Sequence, residues 1–304
     1  FTNTYAAKAH INLTASKKLT GRNPGLAAGE FDFVLQRLNT AGVIIDASHI
    51  TGTNDGSGLV RFATLNYSNE MLNEAYKHED GAFYFSYLLS EIQPKDTAIP
   101  GVTYDQNKYI VTIKVTQDNS NGMTATLAGV SKAVQNGDTY TPGTAVTGFT
   151  AAGNTNVTFE NTYKAVQGDV VKYQIRKDLE GRDVRPGEFE FGLYLNGTLV
   201  DVATNDENGI VTFFRTIPAT AGAYADTYEM VIKESKGSVA GVTYSTQEYT
   251  IYVKITDNGQ GKIEATVHLT KDGDLAVIHD TSLKRTAGAD IKITDLTLAE
   301  AATY

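Results

Sequence analysis

The stretch SKKLTGRNPGLAAGEFDFVL at residues 16–35 returns in weaker form as RKDLEGRDVRPGEFEFGLYL at residues 176–195. Other segments recur in the same order: NDGSGLVRF (54–62) as NDENGIVTF (205–213), GAFYFSYLLSE (81–91) as ADTYEMVIKE (225–234), PGVTYDQNKYIVTIKVT (100–116) as AGVTYSTQEYTIYVKIT (240–256), and VTFENTY (157–163) as AVIHDTS (276–282). Ordered self-similarity of this kind is the signature of one structural unit written more than once. We therefore predict two homologous domains.

Apolar residues occupy alternate positions in most of these segments, for example in 83–89 and in 249–255. A period of two, together with many Val, Ile, Thr, Tyr and Phe residues, is typical of half-buried β-strands. Asn, Asp and Gly cluster between the strands, where tight turns are expected. The pattern predicts an all-β fold of two tandem immunoglobulin-like β-sandwich domains.

The repeat boundaries divide the chain into four parts. We expect residues 1–7 to be the last strand or a remnant of a preceding repeat. Residues 8–165 and 166–285 form the two sandwich domains, and 286–304 is a tail or the start of a further segment. Within the first domain, SNEMLNEAYKH at 68–78 is the one segment with a helical pattern, with Ser68 as its N-cap.

The turn sequence TGTNDGSG at 51–58 has an oxygen-rich composition that could be taken for a calcium loop. It lacks the spaced acidic ligands and the distal Glu of such a site, and TNDENG stands at the same place in the second repeat. We therefore interpret both segments as hairpin turns.

Composition excludes several classes of protein. The net charge of −9 argues against nucleic acid or an anionic membrane as the main partner. The 304 residues contain no cysteine, so disulfides and thiolate metal sites are ruled out. The five histidines show no metal-ligand spacing, and no nucleophile-elbow or phosphate-loop motif occurs. No metal site, cofactor or turnover enzyme is predicted, and no stretch is apolar enough to insert into a membrane.

An inward-facing lysine occurs on the first strand of each repeat. Lys17 lies two residues after Ala15, and Lys177 lies two residues after Ile175, so each shares the apolar face of its strand. A buried ammonium group without a partner is costly. Each lysine therefore needs a partner, or it must lose its charge.

Acidic and amide residues repeat in the same way. Glu91 and Glu234 end the apolar face of a middle strand in the first and second repeat. Asn161 and Asp280 lie on the apolar face of the last strand, in VTFENTY and AVIHDTS. Each domain is thus predicted to hold a lysine, a glutamate and an Asn or Asp on inward-facing positions.

Five motifs appear twice in the same order: Lys-x-Leu, Gly-Glu-Phe-x-Phe, an aromatic strand ending in Glu, Gly-Val-Thr-Tyr, and a closing strand with inward Asn or Asp. The pattern resembles the isopeptide-linkage domains of Gram-positive major pilins, with the streptococcal T-antigen shaft pilins and the stalks of related surface adhesins as the nearest comparison. The resemblance covers about residues 11–163 and 171–283.

The resemblance implies a self-formed amide bond between Lys17 and Asn161, assisted by Glu91, with loss of ammonia. It implies a second bond between Lys177 and Asp280, assisted by Glu234, with loss of water. Burial would lower the pKa of an inward lysine and raise that of a glutamate, giving a neutral nucleophile and a proton donor. Glu91 is expected to hydrogen-bond the Asn161 carbonyl and to carry the proton to the leaving group. The alternative is a pair of buried ion-pair clusters that never react.

The opening FTNTY resembles FENTY at 159–163, and Asn3 precedes Lys17 by nearly the interval that separates Asn161 from Lys177. We expect FTNTY to be the last strand of an upstream repeat. If the repeats continued with the same spacing, the next inward lysine would fall near residues 294–296. The sequence there is Thr294, Asp295 and Leu296, so the lysine is missing.

These features predict a structural module of a pilus or adhesin stalk, extracellular and anchored to the cell wall of a Gram-positive bacterium. Its only chemistry would be a single-turnover cross-linking of itself, so it would not be an enzyme. Its partners would be neighbouring domains or subunits of the same surface polymer. The alternative is a ligand-binding adhesin region on the same scaffold that takes a host matrix protein or glycan. The longer segment 63–80 of the first repeat is the one candidate for it, and the other interpretation of Tyr67, Met71 and Tyr76 is that they form the packing face of this segment.

Overall fold

The structure is a computed structural model and describes residues 7–94, 98–118, 122–217, 227–268, 283–284 and 290–296. The chain divides into two compact units. The first comprises Phe1–Ala98 and Val102–Tyr163, and the second comprises Ile99–Gly101 and Lys164–Tyr304. Each unit has its own sheets and its own core.

The strands of the first unit are β1 (Lys8–Ile11), β2 (Thr14–Thr20), β3 (Asp32–Leu38), β4 (Ile44–Asn54), β5 (Leu59–Phe62), β6 (Leu65–Ser68), β7 (Phe83–Glu91), β8 (Val102–Thr103), β9 (Lys108–Gln117), β10 (Met123–Asn136), β11 (Thr139–Ala145) and β12 (Asn154–Tyr163). Ten of them form one sheet in the order β11-β10-β9-β7-β3-β4-β5-β2-β12-β8, and β1 pairs with β6. Most neighbours are antiparallel, but β2 and β12 run parallel.

The ten-stranded sheet curls over a common core. Phe33 on β3 and Phe159 on β12 are separated by three strands in the sheet, yet their ring centroids lie 5.1 Å apart. Tyr109 on β9 also contacts Phe159, at 5.6 Å. All three rings are buried. The β3-β7-β9 part of the sheet therefore packs face to face on the β2-β12 part, as in a β-sandwich.

The predicted helix at 68–78 is not formed. The structure has two short 3-10 turns there, Asn69–Met71 and Glu74–Tyr76, and Ser68 makes no capping hydrogen bond with its side chain. The Asn73 side chain accepts a hydrogen bond from the Ala75 N–H instead, which starts a new turn where a helix would continue.

Two of the three candidate residues in segment 63–80 contribute to the packing of the first unit, in line with their interpretation as a packing face. Tyr67 is buried and its hydroxyl lies 3.1 Å from that of Tyr87. Tyr76 lies with its ring centroid 5.1 Å from that of Phe85. These tyrosines therefore do not form an exposed patch.

The strands of the second unit are β13 (Asp169–Arg176), β14 (Glu190–Leu195), β15 (Thr198–Thr204), β16 (Ile210–Ile217), β17 (Thr227–Glu234), β18 (Glu248–Asp257), β19 (Ile263–His268), β20 (Leu283–Lys284) and β21 (Asp290–Leu296). They form a four-stranded sheet, β16-β13-β21-β20, and a five-stranded sheet, β15-β14-β17-β18-β19. Buried residues of both sheets, among them Tyr173 and Phe213 from the first and Leu193 and Ile251 from the second, share one core. The predicted all-β class and tandem sandwich architecture are confirmed.

Candidate functional site

Lys17 lies in the core of the first unit, on the buried face of β2. The strand alternates strictly around it, so that Ala15 and Lys17 are buried and Ser16 and Lys18 are not. Lys17 is 4% exposed. The sequence-based prediction of its direction is therefore met, and its ammonium group needs a partner inside the protein.

Glu91 provides this partner from the opposite layer. It ends β7, where it stands opposite Phe33 of β3, and it is buried. Its carboxylate accepts hydrogen bonds from Lys17 Nζ, at 3.0 Å to Oε1 and 2.8 Å to Oε2. The side chains of the pair are fully shielded from solvent, so their attraction is little screened by water.

Asn161 completes the cluster from β12. The burial pattern of β12 alternates along its whole length, which places Val157, Phe159 and Asn161 on the inner face. Because β12 runs parallel to β2, with Phe159 opposite Lys17, Asn161 stands just beyond the lysine on the adjacent strand. Its Nδ2 donates to Glu91 Oε1 at 2.7 Å. One carboxylate oxygen thus receives hydrogen bonds from both Lys17 and Asn161.

The carbonyl oxygen of Asn161 has a different partner. Asn161 Oδ1 accepts a hydrogen bond of 2.7 Å from the main-chain N–H of Asp105. A main-chain N–H can only donate, so this contact also fixes which way round the Asn161 amide lies. The expectation from the sequence that Glu91 contacts the Asn161 carbonyl oxygen is therefore wrong, and Glu91 contacts the amide nitrogen instead.

Aromatic rings surround the lysine. Nζ lies 4.6 Å from the ring centroid of Phe31 and 5.9 Å from that of Phe33. Phe31 is held in place by Asn54, whose Oδ1 accepts from the Phe31 N–H at 2.8 Å and whose Nδ2 donates to Ala27 O and Asp55 O. The rings exclude water from the ammonium group and the carboxylate.

Burial shifts both ionisable groups of the cluster towards their neutral forms. It lowers the pKa of the Lys17 ammonium below its usual value, although the hydrogen bond to Glu91 opposes the shift. It likewise raises the pKa of the Glu91 carboxyl, against the effect of Lys17. The neutral amine and the protonated acid differ from the ion pair by one proton transfer along the existing hydrogen bond. That transfer would give a nucleophile and a proton donor next to a carboxamide.

Gly58 packs closely against the main chain of Lys17. The Lys17 N–H donates to Gly58 O at 2.6 Å, and a Cβ on Gly58 would lie 2.2 Å from Lys17 O. Gly58 also has a φ of +88°, which side chains rarely tolerate. The NDGSG turn therefore supports the lysine, and it is a hairpin turn as predicted: Asp55 Oδ1 accepts from the N–H groups of Ser57 and Leu59.

The second unit repeats much of this arrangement. Lys177 Nζ lies 2.8 Å from Glu234 Oε1, with side-chain exposures of 12% and 2%. It also lies 4.5 Å from the ring centroid of Phe189. A Cβ on Gly209 would lie 2.2 Å from Lys177 O, so the turn before β16 approaches this lysine as Gly58 approaches Lys17.

Asn205 anchors Phe189 just as Asn54 anchors Phe31. Its Oδ1 accepts from the Phe189 N–H at 2.8 Å, and its Nδ2 donates to Arg185 O and Asp206 O. The two asparagines stand at the same place in the repeated turns TNDGSG and TNDENG. That recurrence was a usable signal for a residue that supports the site, and sequence reasoning missed it.

Asp280, the predicted partner of Lys177, lies outside the described residues, as does Asn3. In the first unit β2 lies between the antiparallel strand β5 and the parallel strand β12. In the second unit β13 lies between two antiparallel strands, β16 and β21, with Val170 opposite Leu296 of β21. The main-chain N–H of Ser245, which corresponds to Asp105 in the repeat, donates to Glu234 Oε2 at 3.0 Å. The described part of the second site thus consists of Lys177, Glu234 and their supports.

Other kinds of site find no support in the described ranges. They contain no group of three or more His, Cys, Asp or Glu side chains placed to hold a metal ion. They also contain no helix with the length and apolarity needed to cross a membrane.

Comparison with known proteins identifies the repeats. The sequence profile of the FctA family, described as a Spy0128-like isopeptide containing domain, matches residues 13–164 and 173–281. The first match falls almost entirely in the first unit and the second match within the second unit, and together they cover most of the chain. The search of curated proteins found no match.

Three solved structures illustrate the structural likeness. The major pilin from Streptococcus pyogenes is 14% identical, with 85% of this chain and 97% of that chain covered and a TM-score of 0.29. The T-13 major pilin of Streptococcus pyogenes is 16% identical, with coverages of 95% and 97% and a TM-score of 0.27. The pilus adhesin SpaC from Lactobacillus rhamnosus GG is 13% identical, with coverages of 95% and 43% and a TM-score of 0.22. TM-scores this low support no statement about function.

Proposed function

The chain belongs to the family of Spy0128-like isopeptide containing domains, and on that premise we propose that it is a stalk module of a Gram-positive pilus or surface adhesin. Each of its two domains would be locked by an internal amide bond, Lys17–Asn161 in the first and Lys177–Asp280 in the second. The observation that carries the proposal is the buried Glu91 carboxylate, which contacts Lys17 and Asn161 through the same oxygen.

The reaction in the first domain is an exchange of one amine for another on a carboxamide. A proton passes from Lys17 Nζ to Glu91, and the neutral amine attacks Cγ of Asn161. The new Nζ–Cγ bond forms, Glu91 returns its proton to Nδ2, and the Cγ–Nδ2 bond breaks to release ammonia. Nζ gives up a second proton as the amide forms, and this proton passes to Glu91, which is left as the neutral acid. Glu91 Oε1 already lies 2.7 Å from Nδ2, the atom that must be protonated to leave. The reaction needs no cofactor and occurs once per domain.

In the second domain the same exchange would take place on a carboxylic acid. Lys177 would attack Cγ of Asp280, and water would leave in place of ammonia, again with the proton carried by the glutamate, Glu234. The close approach of Lys177 to Glu234 and to the Phe189 ring supports this assignment, since both contacts have counterparts around Lys17.

The position of the first bond supports a role under tension. It would join β2 to the adjacent parallel strand β12, the first and last strands of the main sandwich. A pull along the chain would enter at Lys17 and leave at Asn161 through covalent bonds, and the hydrogen bonds between them would carry little force. Such a module suits a stalk whose partners are neighbouring domains or subunits of the same cell-surface polymer, outside the cell and anchored to its wall.

The test is the intact mass of the denatured full chain. Two bonds remove about 17 Da as ammonia and about 18 Da as water. Lys17→Ala should abolish the first loss alone and Lys177→Ala the second alone. Lys18→Ala, which changes the exposed neighbour on the same strand, should leave both in place. An unshifted mass for the unmodified chain would mean that the clusters are unreacted ion pairs and would refute the proposal.

A further inference from the structure

The main-chain N–H of Asp105 donates to the oxygen of the reacting amide, Asn161 Oδ1, whereas Glu91 accepts from its nitrogen. We propose that this N–H is the oxyanion donor of the first cross-linking reaction, and that the Asp105 side chain holds it in position. This inference rests on the proposed function of the same site and adds to it a residue and a role.

The chemistry requires such a donor. When the Lys17 amine adds to Cγ, the carbonyl π electrons move onto Oδ1, which becomes an alkoxide-like oxygen until ammonia leaves. A preorganised donor within 2.7–3.1 Å of that oxygen stabilises the charge as it develops, and it does so most strongly where water is excluded. The Asp105 N–H lies 2.7 Å from Oδ1, and Asn161 is 0% exposed. Glu91 would then protonate the nitrogen of the Asn161 amide, and the Asp105 N–H would stabilise the negative charge on its oxygen.

The side chain of Asp105 ties its own loop to the strand that carries Asn161. Asp105 Oδ2 accepts from the Glu160 N–H at 2.9 Å, one residue before Asn161 on β12. Asp105 Oδ1 accepts from the Asn107 N–H at 2.8 Å, which closes the turn. The main-chain oxygen of Asp105 accepts from Gln93 Nε2 at 3.0 Å. Donor and acceptor are thus fixed relative to each other before the reaction starts.

The second repeat keeps half of this arrangement. Ser245 stands where Asp105 stands after the shared Gly-Val-Thr-Tyr, and its Oγ accepts from the Gln247 N–H at 3.2 Å, as Asp105 Oδ1 accepts from Asn107. The Ser245 N–H also points into its site, where it contacts Glu234. The main-chain donor therefore recurs, whereas a second carboxylate oxygen, which reaches the Glu160 N–H in the first domain, has no counterpart on a serine.

The decisive experiment compares two full-length chains that differ in one atom group. Asp105→Ala is made by cell-free synthesis, alongside a chain with lactic acid at position 105, in which an ester oxygen replaces that N–H. Samples are quenched over time, and the fraction of Lys17–Asn161 peptide is measured by mass spectrometry. The ester chain should cross-link about 100-fold more slowly than Asp105→Ala, the effect typical of losing one oxyanion donor.

The positioning role of the Asp105 side chain is tested by comparing the cross-linking rates of three chains. Asp105→Ser keeps the turn bond found in the second repeat and should react faster than Asp105→Ala but slower than the unmodified chain. Rates are taken only from molecules that resist limited proteolysis, so that slow folding is not counted as slow chemistry. In all chains the second-domain peptide, formed around Lys177, serves as the internal control and should appear at one common rate.

The outcomes separate the two proposals. An unmodified chain that never loses ammonia refutes the proposed function itself. An unmodified chain that cross-links, together with an ester chain that reacts as fast as Asp105→Ala, refutes the oxyanion role alone. Equal rates for Asp105→Ser, Asp105→Ala and the unmodified chain refute the positioning role of the side chain.

Discussion

Glu91 Oε1 accepts a hydrogen bond from Lys17 Nζ at 3.0 Å and another from Asn161 Nδ2 at 2.7 Å. The carboxylate thus bridges the nucleophile and the leaving group of the proposed reaction. A single acid can take the proton from one nitrogen and deliver it to the other without an intervening water.

The rate of cross-linking in the first domain should be nearly independent of pH around neutrality. The ion pair of Lys17 and Glu91 and its reactive neutral form hold the same number of protons, so the pair titrates as a unit. Burial lowers the pKa of Lys17 and raises that of Glu91, which makes the neutral form more accessible without changing that count. Acid adds a proton to Glu91 while Lys17 stays charged, and alkali removes the last shared proton. Rates from quenched time courses should therefore fall on both sides of a plateau.

A rate that rises tenfold per pH unit through neutrality would contradict this coupling, because it would mean that Lys17 loses its proton to solvent before the reaction. The second-domain peptide, measured in the same samples, reports whether a change in rate arises in the first domain alone.

Glu91→Gln should slow the first cross-link by about a hundredfold or more, since general acid–base catalysis contributes at least that much in typical sites. The amide side chain keeps the size of the glutamate and can still contact both nitrogens, but it cannot carry a proton between them. The remaining reaction should rise with pH, because Lys17 must now lose its proton to water. Glu160→Gln is the matched control, since Glu160 precedes Asn161 but pairs with Lys18 at the surface. A normal rate in Glu91→Gln would exclude the proton-transfer role.

Period-two alternation was enough to predict the tandem sandwich fold and the inward direction of Lys17, Glu91 and Asn161, because burial of one strand face is a local property. The contact between Asp105 and Asn161 could not be predicted. It uses a main-chain N–H, which every residue except proline carries, and it joins a loop to a distant strand. The sequence also could not predict that Glu91 contacts the nitrogen of the Asn161 amide, because the Asp105 N–H determines the orientation of that amide.

The helix expected at 68–78 shows another limit of local pattern. The spacing of its apolar residues suits a helix, but the half-buried Tyr76 packs its ring against Phe85 of the sheet, and Tyr67, just before the segment, is buried with its hydroxyl next to that of Tyr87. Tertiary packing therefore overrides the local preference. The second bond, to Asp280, stays a prediction because that residue lies outside the described ranges.

Asn161→Ala should lower the stability of the first domain by much more than a typical side-chain truncation. The bond to Lys17 would close a loop of roughly 140 residues, which constrains the unfolded chain by on the order of 5 kcal/mol. This variant keeps the Lys17–Glu91 ion pair but takes the acceptor from the Asp105 N–H, which costs about 1–3 kcal/mol, so only a loss of stability beyond that amount reports the cross-link. Urea unfolding should show one transition moved to a clearly lower urea concentration, with the second-domain transition unchanged. Lys18→Ala should leave both transitions where they are, and an unmoved midpoint for Asn161→Ala would contradict a formed bond.

Asn54→Ala should both destabilise the first domain and slow its cross-linking, because this asparagine holds the aromatic cover of the lysine. Its removal leaves the buried Phe31 N–H without its acceptor, at a cost of about 1–3 kcal/mol for a buried unsatisfied group. Freed from this anchor, the Phe31 ring would admit water to Lys17, which restores its ordinary pKa and favours the unreactive ammonium form.

The chain provides two controls for that variant. Asn205→Ala should produce the same pair of effects in the second domain alone, because Asn205 anchors Phe189 over Lys177. Asn66→Ala, at an exposed position where the side chain donates only to Thr64 O, should change neither stability nor rate. The rate effect of Asn54→Ala should persist at urea concentrations where the domain is still fully folded. If it instead vanishes once the folded fraction is matched to that of the unmodified chain, Asn54 serves stability only and the ring does not control the reactivity of Lys17.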